Sequence, residues 1–215
     1  RLEGHIAIGH TRYSTTGSTN IQNAQPIMVR NGSTELALAH NGNIINAQEL
    51  RAELSEMGYS FASTTDSEVL AYLLACAPSE EWAQKVSYMM RRAVGAYSLT
   101  VLTKDALIGI RDPHGVRPLC LGKLDGGWVI ASESCALDHL GAQYLREVDP
   151  GETVIIDKRG LTSVPFLGEL PPPAPCVFEH IYFARPDSLM GGKLTYLSRV
   201  AMGKQLAREH PVEAD

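Results

Sequence analysis

Hydrophobic and polar residues alternate with a period of two in His5-Ile6-Ala7-Ile8-Gly9-His10, which predicts a short strand running into a hydroxyl-rich loop. The same period returns in Glu35-Leu36-Ala37-Leu38-Ala39-His40, ahead of Asn41-Gly42, a pair that signals a tight turn. From Asn46 the period lengthens to that of a helix. Asn46 can cap it, Glu49 stands at the third helical position, and Leu50, Leu54 and Met57 follow at helical spacing before Gly58. A second helix is predicted in "TTDSEVLAYLLACA", where Thr65 and Glu68 have capping-box spacing and Pro78 ends the run. A third, "SEEWAQKVSYMMRRAVG", carries Trp82, Val86, Met89 and Met90 and stops at Gly95.

Beyond Gly95 the period drops back to two. "AYSLTVL" and "ALIGI" are joined by Thr-Lys-Asp, "RPLCLG" and "WVIAS" by Asp-Gly-Gly, and "ETVIID" and "LTSVPF" by Lys-Arg-Gly, three hairpin patterns. Helices in one block and hairpins in another predict an α+β fold with antiparallel sheet. "GELPPPAPC" then breaks the pattern as a stiff, extended linker. After it come a strand-like segment, "CVFEHIYFARPDS", and an amphipathic helix reaching Glu209. That last piece is too short to bury a core of its own, so residues 171–215 read as the opening of a second domain and residues 1–170 as the first.

Composition narrows the function classes. With 44% hydrophobic and 20% charged residues, the 215-residue chain has the material for a globular core. A formal net charge of −5 lacks the basic excess of a nucleic-acid footprint. No apolar run approaches the ~18 residues of a membrane span, and a cytoplasmic, non-membrane protein is expected. Cys76, Cys120, Cys135 and Cys176 form no C-x-x-C pair, so the spacing indicates neither a zinc site nor a disulfide framework.

Three polar clusters sit at predicted element ends: "GHTRYST" (His10 to Thr15), "HNGN" (His40 to Asn43) and "TTDSE" (Thr64 to Glu68). Singly, each has an ordinary explanation: a surface ion pair for Arg12, a turn for Asn41-Gly42, a helix cap for Asp66. The opening loop alone is compatible with a phosphate cradle, a carboxylate site or a solvated turn. Together the clusters favour an α-amino acid. Arg12 offers a planar fork for a carboxylate, with Thr15 in its hydroxyl-rich wall, and Asp66 complements an ammonium group. Asn41 and Gly42 supply a side-chain and a backbone N–H of the kind that stabilises a developing oxyanion.

In order along the chain, "GHTRYSTTG", "AHNGNI", "TTDSE", "RDPHGVRPL" and "ASESCAL" resemble the glutaminase domain of the class II, N-terminal-nucleophile glutamine amidotransferases. The likeness runs over about the first 165 residues. The proline-rich linker, "FEHIYFARPDS" and "KLTYLSRVAMGKQLAREHP" resemble, more narrowly, the glutamine phosphoribosylpyrophosphate amidotransferases at the start of their phosphoribosyltransferase domain. The resemblance implies an αββα sandwich of antiparallel sheets, incomplete at its N-terminus, followed by the first elements of an α/β phosphoribosyltransferase domain.

The resemblance also implies roles. Arg12 would bind the glutamine α-carboxylate with Thr15 nearby, Asp66 the α-amino group, and Asn41 and Gly42 would form the oxyanion hole. Tyr13 would border the ammonia route, and "RDPHGVRPL" and "ASES" would shape sheet and pocket. The family's nucleophile is an amino-terminal cysteine whose own amine serves as base. Here the chain starts at Arg1, so it reads as an internal fragment that lacks the first ~60 residues and is expected to have no turnover alone. Glutamine and phosphoribosyl pyrophosphate are the implied substrates of the whole protein, magnesium its implied cofactor in the absent domain, and a homodimer or homotetramer its implied assembly. In an iron–sulfur branch of the family, a cysteine at the position of Cys176 ligates a [4Fe–4S] cluster. Another class II amidotransferase and a noncatalytic glutamine-binding module are the alternatives.

Overall fold

The computed structural model describes residues 4–11 and 20–213. Its strands are β1 (Ile27–Asn31), β2 (Thr34–Ile44), β3 (Gly95–Thr103), β4 (Leu107–Arg111), β5 (Cys120–Leu124), β6 (Gly127–Ala131), β7 (Gln143–Glu147), β8 (Thr153–Asp157), β9 (Gly160–Val164), β10 (Leu189–Met190) and β11 (Lys193–Leu194). The helices are α1 (Ala47–Glu56), α2 (Asp66–Ala75), α3 (Trp82–Arg92), α4 (Ser134–Leu140) and α5 (Thr195–Glu209). Arg1–Arg117 with Val148–Ala174 form one compact unit, and Pro118–Glu147 with Pro175–Asp215 form a second.

The first unit is a six-stranded antiparallel sheet, in the order β1-β2-β3-β4-β8-β9, packed with α1, α2 and α3. Leu36 and Leu38 on β2, Leu99 and Val101 on β3, and Ile108 and Ile110 on β4 are all buried. Helix α2 packs against β1, β2 and α3. Val69, Leu70, Ala71, Leu73 and Leu74 have no exposed surface, the pattern of a helix covered on every side. Removing a side chain such as Leu73 from this packing carries the usual cost of a core cavity, about 2–5 kcal/mol.

In the second unit, a three-stranded antiparallel sheet in the order β6-β5-β7 packs with α4 around Cys120, Leu137 and Ala142. The "ASES" and "ARPDS" motifs meet here. Glu133 Oε2 accepts from Arg185 N (2.8 Å) and Ser188 Oγ (2.6 Å), and Ser134 Oγ accepts from Leu189 N (2.8 Å). Arg199 on α5 donates to the carbonyls of His180 (2.9 Å) and Ala184 (2.6 Å).

The α+β class, the antiparallel sheets, the three helices and the three hairpins form as the periodicity predicts. Five local expectations do not. Residues 6–10 pair with no strand among the described residues, although Ile6 and Ile8 are still the more covered side of the alternation; a period of two becomes a strand only with a ladder partner. Asn41-Gly42 is no turn, because β2 runs straight through it and Gly42 pairs with Tyr97. The Asn46 side chain does not cap α1. It accepts from Val94 N (3.0 Å) and donates to Arg92 O (2.8 Å), closing the end of α3 instead. Thr65 and Glu68 make no capping box: Glu68 reaches past Thr65 to Ala62 N (2.8 Å), Ser63 N (2.7 Å) and Ser63 Oγ (2.5 Å). The segment read as strand-like instead coils into a π-helical turn at Glu179–Phe183.

Candidate functional site

Strands β2 and β3 come unusually close at their ends, and glycine is what allows it. Gly42 has φ +153°, and a Cβ there would lie 2.0 Å from the Ala96 carbonyl oxygen. Across the ladder, Gly95 has φ +143°, and its Cβ would lie 2.5 Å from Asn43 O. Both conformations are ones that side chains rarely adopt.

Asn41 precedes this contact. Its Oδ1 accepts two hydrogen bonds from the Arg117 guanidinium, from Nη2 at 2.7 Å and from Nε at 3.2 Å. Arg117 is held by the loop that follows β4. The fully buried Asp112 carboxylate accepts from His114 N (3.0 Å), from Val116 N with both oxygens (3.1 and 3.0 Å), and more distantly from Tyr97 N and Arg117 N (3.3 Å each). A carboxylate ringed by backbone N–H groups fixes a tight loop, because each bond is charge-assisted. Arg111 braces it from the other side, donating to the carbonyls of Arg117 (2.9 Å), Val148 (2.6 Å) and Gly115 (3.1 Å). "RDPHGVRPL" thus works as one piece of apparatus whose outward member is Arg117.

The second arm is the start of α2. Asp66 Oδ2 accepts from Ile44 N (3.0 Å), so the helix start is bonded to the end of β2. A carboxylate in the first helical turn also meets the positive end of the helix dipole. The loop ahead of it is tied down on several sides. Asn23 and Thr64 bond reciprocally at 2.9 Å. Arg51 donates to Ser63 O (3.0 Å) and Thr65 O (2.6 Å) while lying 4.2 Å from the centre of the Phe61 ring.

His40 lies between these arms. Its Nδ1 is 3.7 Å from Asp66 Oδ1 and 3.2 Å from Ser67 Oγ, and its Nε2 finds no hydrogen-bond partner among the described residues. Burial holds the imidazole below its ordinary value. Asp66 and the Ala96 backbone pull the other way, while His10 and Arg117 add to the lowering. The ring is therefore neutral near pH 7.

Of the expected site residues, Asn41, Gly42 and Asp66 come together: the first two on β2, the third bonded to the backbone of Ile44 two residues beyond them. Arg12, Thr15 and the neighbouring Tyr13 lie outside the described residues. Cys176 is half-buried ahead of the π-helical turn. No group of three His, Cys, Asp or Glu side chains suited to a metal occurs among the described residues, so the donors around Cys176 do not by themselves fit a [4Fe–4S] cluster, which takes four ligands. Burial pushes the Cys120 thiol up to about 12, with Glu147 adding to the effect, and burial raises Cys76 as well. Neither is a ready nucleophile.

Arg117, Asp112 and Arg51 were not singled out from the sequence. For the first two, the available signal was two arginines flanking Asp-Pro-His-Gly-Val in a motif already noted for its resemblance. Arg51 offered none, being one more charged residue on the polar face of α1.

Residues 10–139 match the model of the glutamine amidotransferase domain, and the chain belongs to that family. Its similarity continues past the end of that match. It is 47% identical to an amidophosphoribosyltransferase of Synechococcus elongatus over 100% of this chain and 45% of that protein. It is 46% identical to one of Archaeoglobus fulgidus, over 100% of this chain and 47% of that protein. Among solved structures, it matches the glutamine phosphoribosylpyrophosphate amidotransferase of B. subtilis, complexed there with ADP and GMP. That match has a TM-score of 0.88 at 40% identity and covers 96% of this chain and 44% of that one. The likeness confirms the amidotransferase fold expected from the motifs. The chain spans about half the length of these relatives. Among the described residues, no helix is long and apolar enough to cross a membrane.

Proposed function

We propose that the complete protein carrying this chain is an amidophosphoribosyltransferase, which takes ammonia from glutamine and delivers it to phosphoribosyl pyrophosphate, the first step of de novo purine synthesis. One observation carries the proposal. The glutamine amidotransferase match ends at residue 139, yet similarity to amidophosphoribosyltransferases covers 100% of the chain. Another class II amidotransferase would share the first stretch and diverge in the second.

The roles follow from residue chemistry. Arg12, with Thr15, clamps the α-carboxylate of glutamine, and Asp66 takes its ammonium group. The thiolate of an amino-terminal cysteine attacks the side-chain amide carbon, and the oxygen that gains negative charge is met by the Asn41 side chain and the Gly42 backbone. Collapse of the tetrahedral intermediate expels ammonia and leaves a thioester, which water hydrolyses to glutamate. The ammonia nitrogen then displaces pyrophosphate from the activated ribose, giving phosphoribosylamine. The buried, neutral His40 beside Asp66 supports this assignment, since a charged imidazole there would compete for the aspartate needed by the ammonium group. Magnesium, when bound, screens the pyrophosphate charge, and no residue of this chain is assigned to hold it. A cytoplasmic homo-oligomer is part of the same proposal, checked by sedimentation.

The test uses the full-length protein. Glutamine-dependent release of pyrophosphate from phosphoribosyl pyrophosphate, with glutamate formed in equal amount, is expected. Glutamate formation with no phosphoribosyl pyrophosphate consumed would reassign the acceptor, and neither product would leave a noncatalytic binding module. An Asp66→Asn variant is expected to raise KM for glutamine by roughly 10-fold or more, as loss of one charge-assisted contact does.

A further inference from the structure

We infer that Arg117 is a positioning residue for the amide-cleaving step: it sets the Asn41 amide so that Nδ2, not Oδ1, is the end presented to the reacting carbonyl. The inference rests on the glutaminase function proposed above and adds a residue to it.

An asparagine amide has two ends of nearly equal size and opposite hydrogen-bonding character. Turned one way it offers N–H donors to an oxyanion, and turned the other way it offers a carbonyl oxygen that repels one. Sterics alone choose poorly between them, so an oxyanion donor of this type needs something that reads the difference. A guanidinium is such a reader, because it donates and never accepts. Arg117 holds Oδ1 with two N–H groups, at 2.7 and 3.2 Å, an arrangement open to only one of the two orientations. The positive charge beside Oδ1 also draws electron density along the amide and makes Nδ2 a stronger donor.

The reader is itself fixed. The Arg117 carbonyl accepts from Ser98 Oγ (3.1 Å) on β3 and from Arg111 Nε (2.9 Å), and its N–H faces the buried Asp112 carboxylate at 3.3 Å. Three elements therefore hold its backbone while Gly42, one residue from Asn41, is locked against β3. Asn41 lies on β2 and the Arg117 backbone is bonded to β3 and β4 of the same sheet, so the orientation is set before substrate arrives. That is the pre-organisation an oxyanion site requires.

The experiment compares wild type, Arg117→Ala, Arg117→Lys and Asn41→Ala in the full-length protein, measuring kcat and KM for glutamine hydrolysis. Synthesis from free ammonia, which bypasses the glutamine site, is the control for folding. Loss of a whole oxyanion donor costs ~10²–10³ in kcat, so misorienting one is expected to cost about 10- to 100-fold in Arg117→Ala, with KM within about 2-fold. Lysine, a single-point donor, restores part of the rate, and added guanidinium ion restores part of it to Arg117→Ala. In an Asn41→Ala background, Arg117→Ala is expected to add less than about 3-fold, because the two act as one unit. An unchanged kcat in Arg117→Ala overturns the inference while leaving the glutaminase function standing. So does a raised KM at constant kcat, which would make Arg117 a substrate ligand, or a full additional loss in the Asn41→Ala background. A wild-type protein that hydrolyses no glutamine overturns the underlying function, and the inference falls with it.

Discussion

Replacing Asp112 with alanine removes the post that carries the 112–117 loop. The carboxylate is fully buried and accepts its best bonds from His114 N (3.0 Å) and Val116 N (3.0 and 3.1 Å), with Tyr97 N and Arg117 N at 3.3 Å. Hydrogen bonds to a charged acceptor contribute about 1.5–3 kcal/mol each. Counting only the two strong partners gives about 3–6 kcal/mol, and the exposed position of His114 lets water recover part of that. A loss of about 2–4 kcal/mol is expected. With a mid-range urea m-value of ~2 kcal/mol/M, the midpoint falls by about 1–2 M. The chain has two tryptophans, Trp82 on α3 in the first unit and Trp128 on β6 in the second. In this 215-residue chain, a Trp128→Phe background leaves Trp82 as the fluorescence reporter, on the unit that contains Asp112. Asp112→Asn keeps one acceptor but turns an N–H₂ toward backbone donors, so it should fall between wild type and alanine. An alanine variant whose midpoint stays within about 0.3 M of wild type would refute the role given to this carboxylate.

Gly42→Ala should be among the most damaging single-methyl additions in the chain, because its Cβ would sit 2.0 Å from the Ala96 carbonyl oxygen. A loss of about 3–5 kcal/mol, at the upper end for point substitutions, is expected in the same urea assay, and near-wild-type stability would show that β2 and β3 can part there at little cost. His40 has a folded-state pKa below the unfolded value of 6.5, so the unfolded state takes up a proton first as pH falls. Its contribution to stability is complete above about pH 6.5 and is lost as pH drops, by at most ~1.4 kcal/mol per pH unit. His40→Gln should flatten that slope between pH 6.5 and 5.5, and an unchanged slope would contradict a buried neutral ring. Cys120, with its thiol pushed up to about 12, should resist iodoacetamide at pH 8 in the folded protein and react on unfolding, as followed by peptide mass spectrometry. Fast labelling of Cys120 in the native state would exclude that environment.

Of the residues picked out by type, Asn41, Gly42 and Asp66 lie among the described ones and do come together, and the order of the motifs points to the family that the chain belongs to. What was not legible is what holds those groups. Asn41 and Arg117 are 76 positions apart, and Asn46 and Arg92, which share a hydrogen bond, are 46 apart. Pairings at such separations leave no periodicity to read.

The sequence alone determined the elements and their chemistry. Runs of period two and period 3.6 are properties of consecutive residues, so α1, α2, α3 and the hairpins β3–β4, β5–β6 and β8–β9 could be predicted where they form. Tertiary structure alone decided what those elements are bonded to. An Asn-Gly pair free to turn became the middle of a strand because β3 was there to pair with it. An asparagine at a helix start closed a different helix because Arg92 O and Val94 N lay within reach. A backbone or side-chain polar group buried on folding must find some partner, and which one it finds depends on packing that local sequence does not encode.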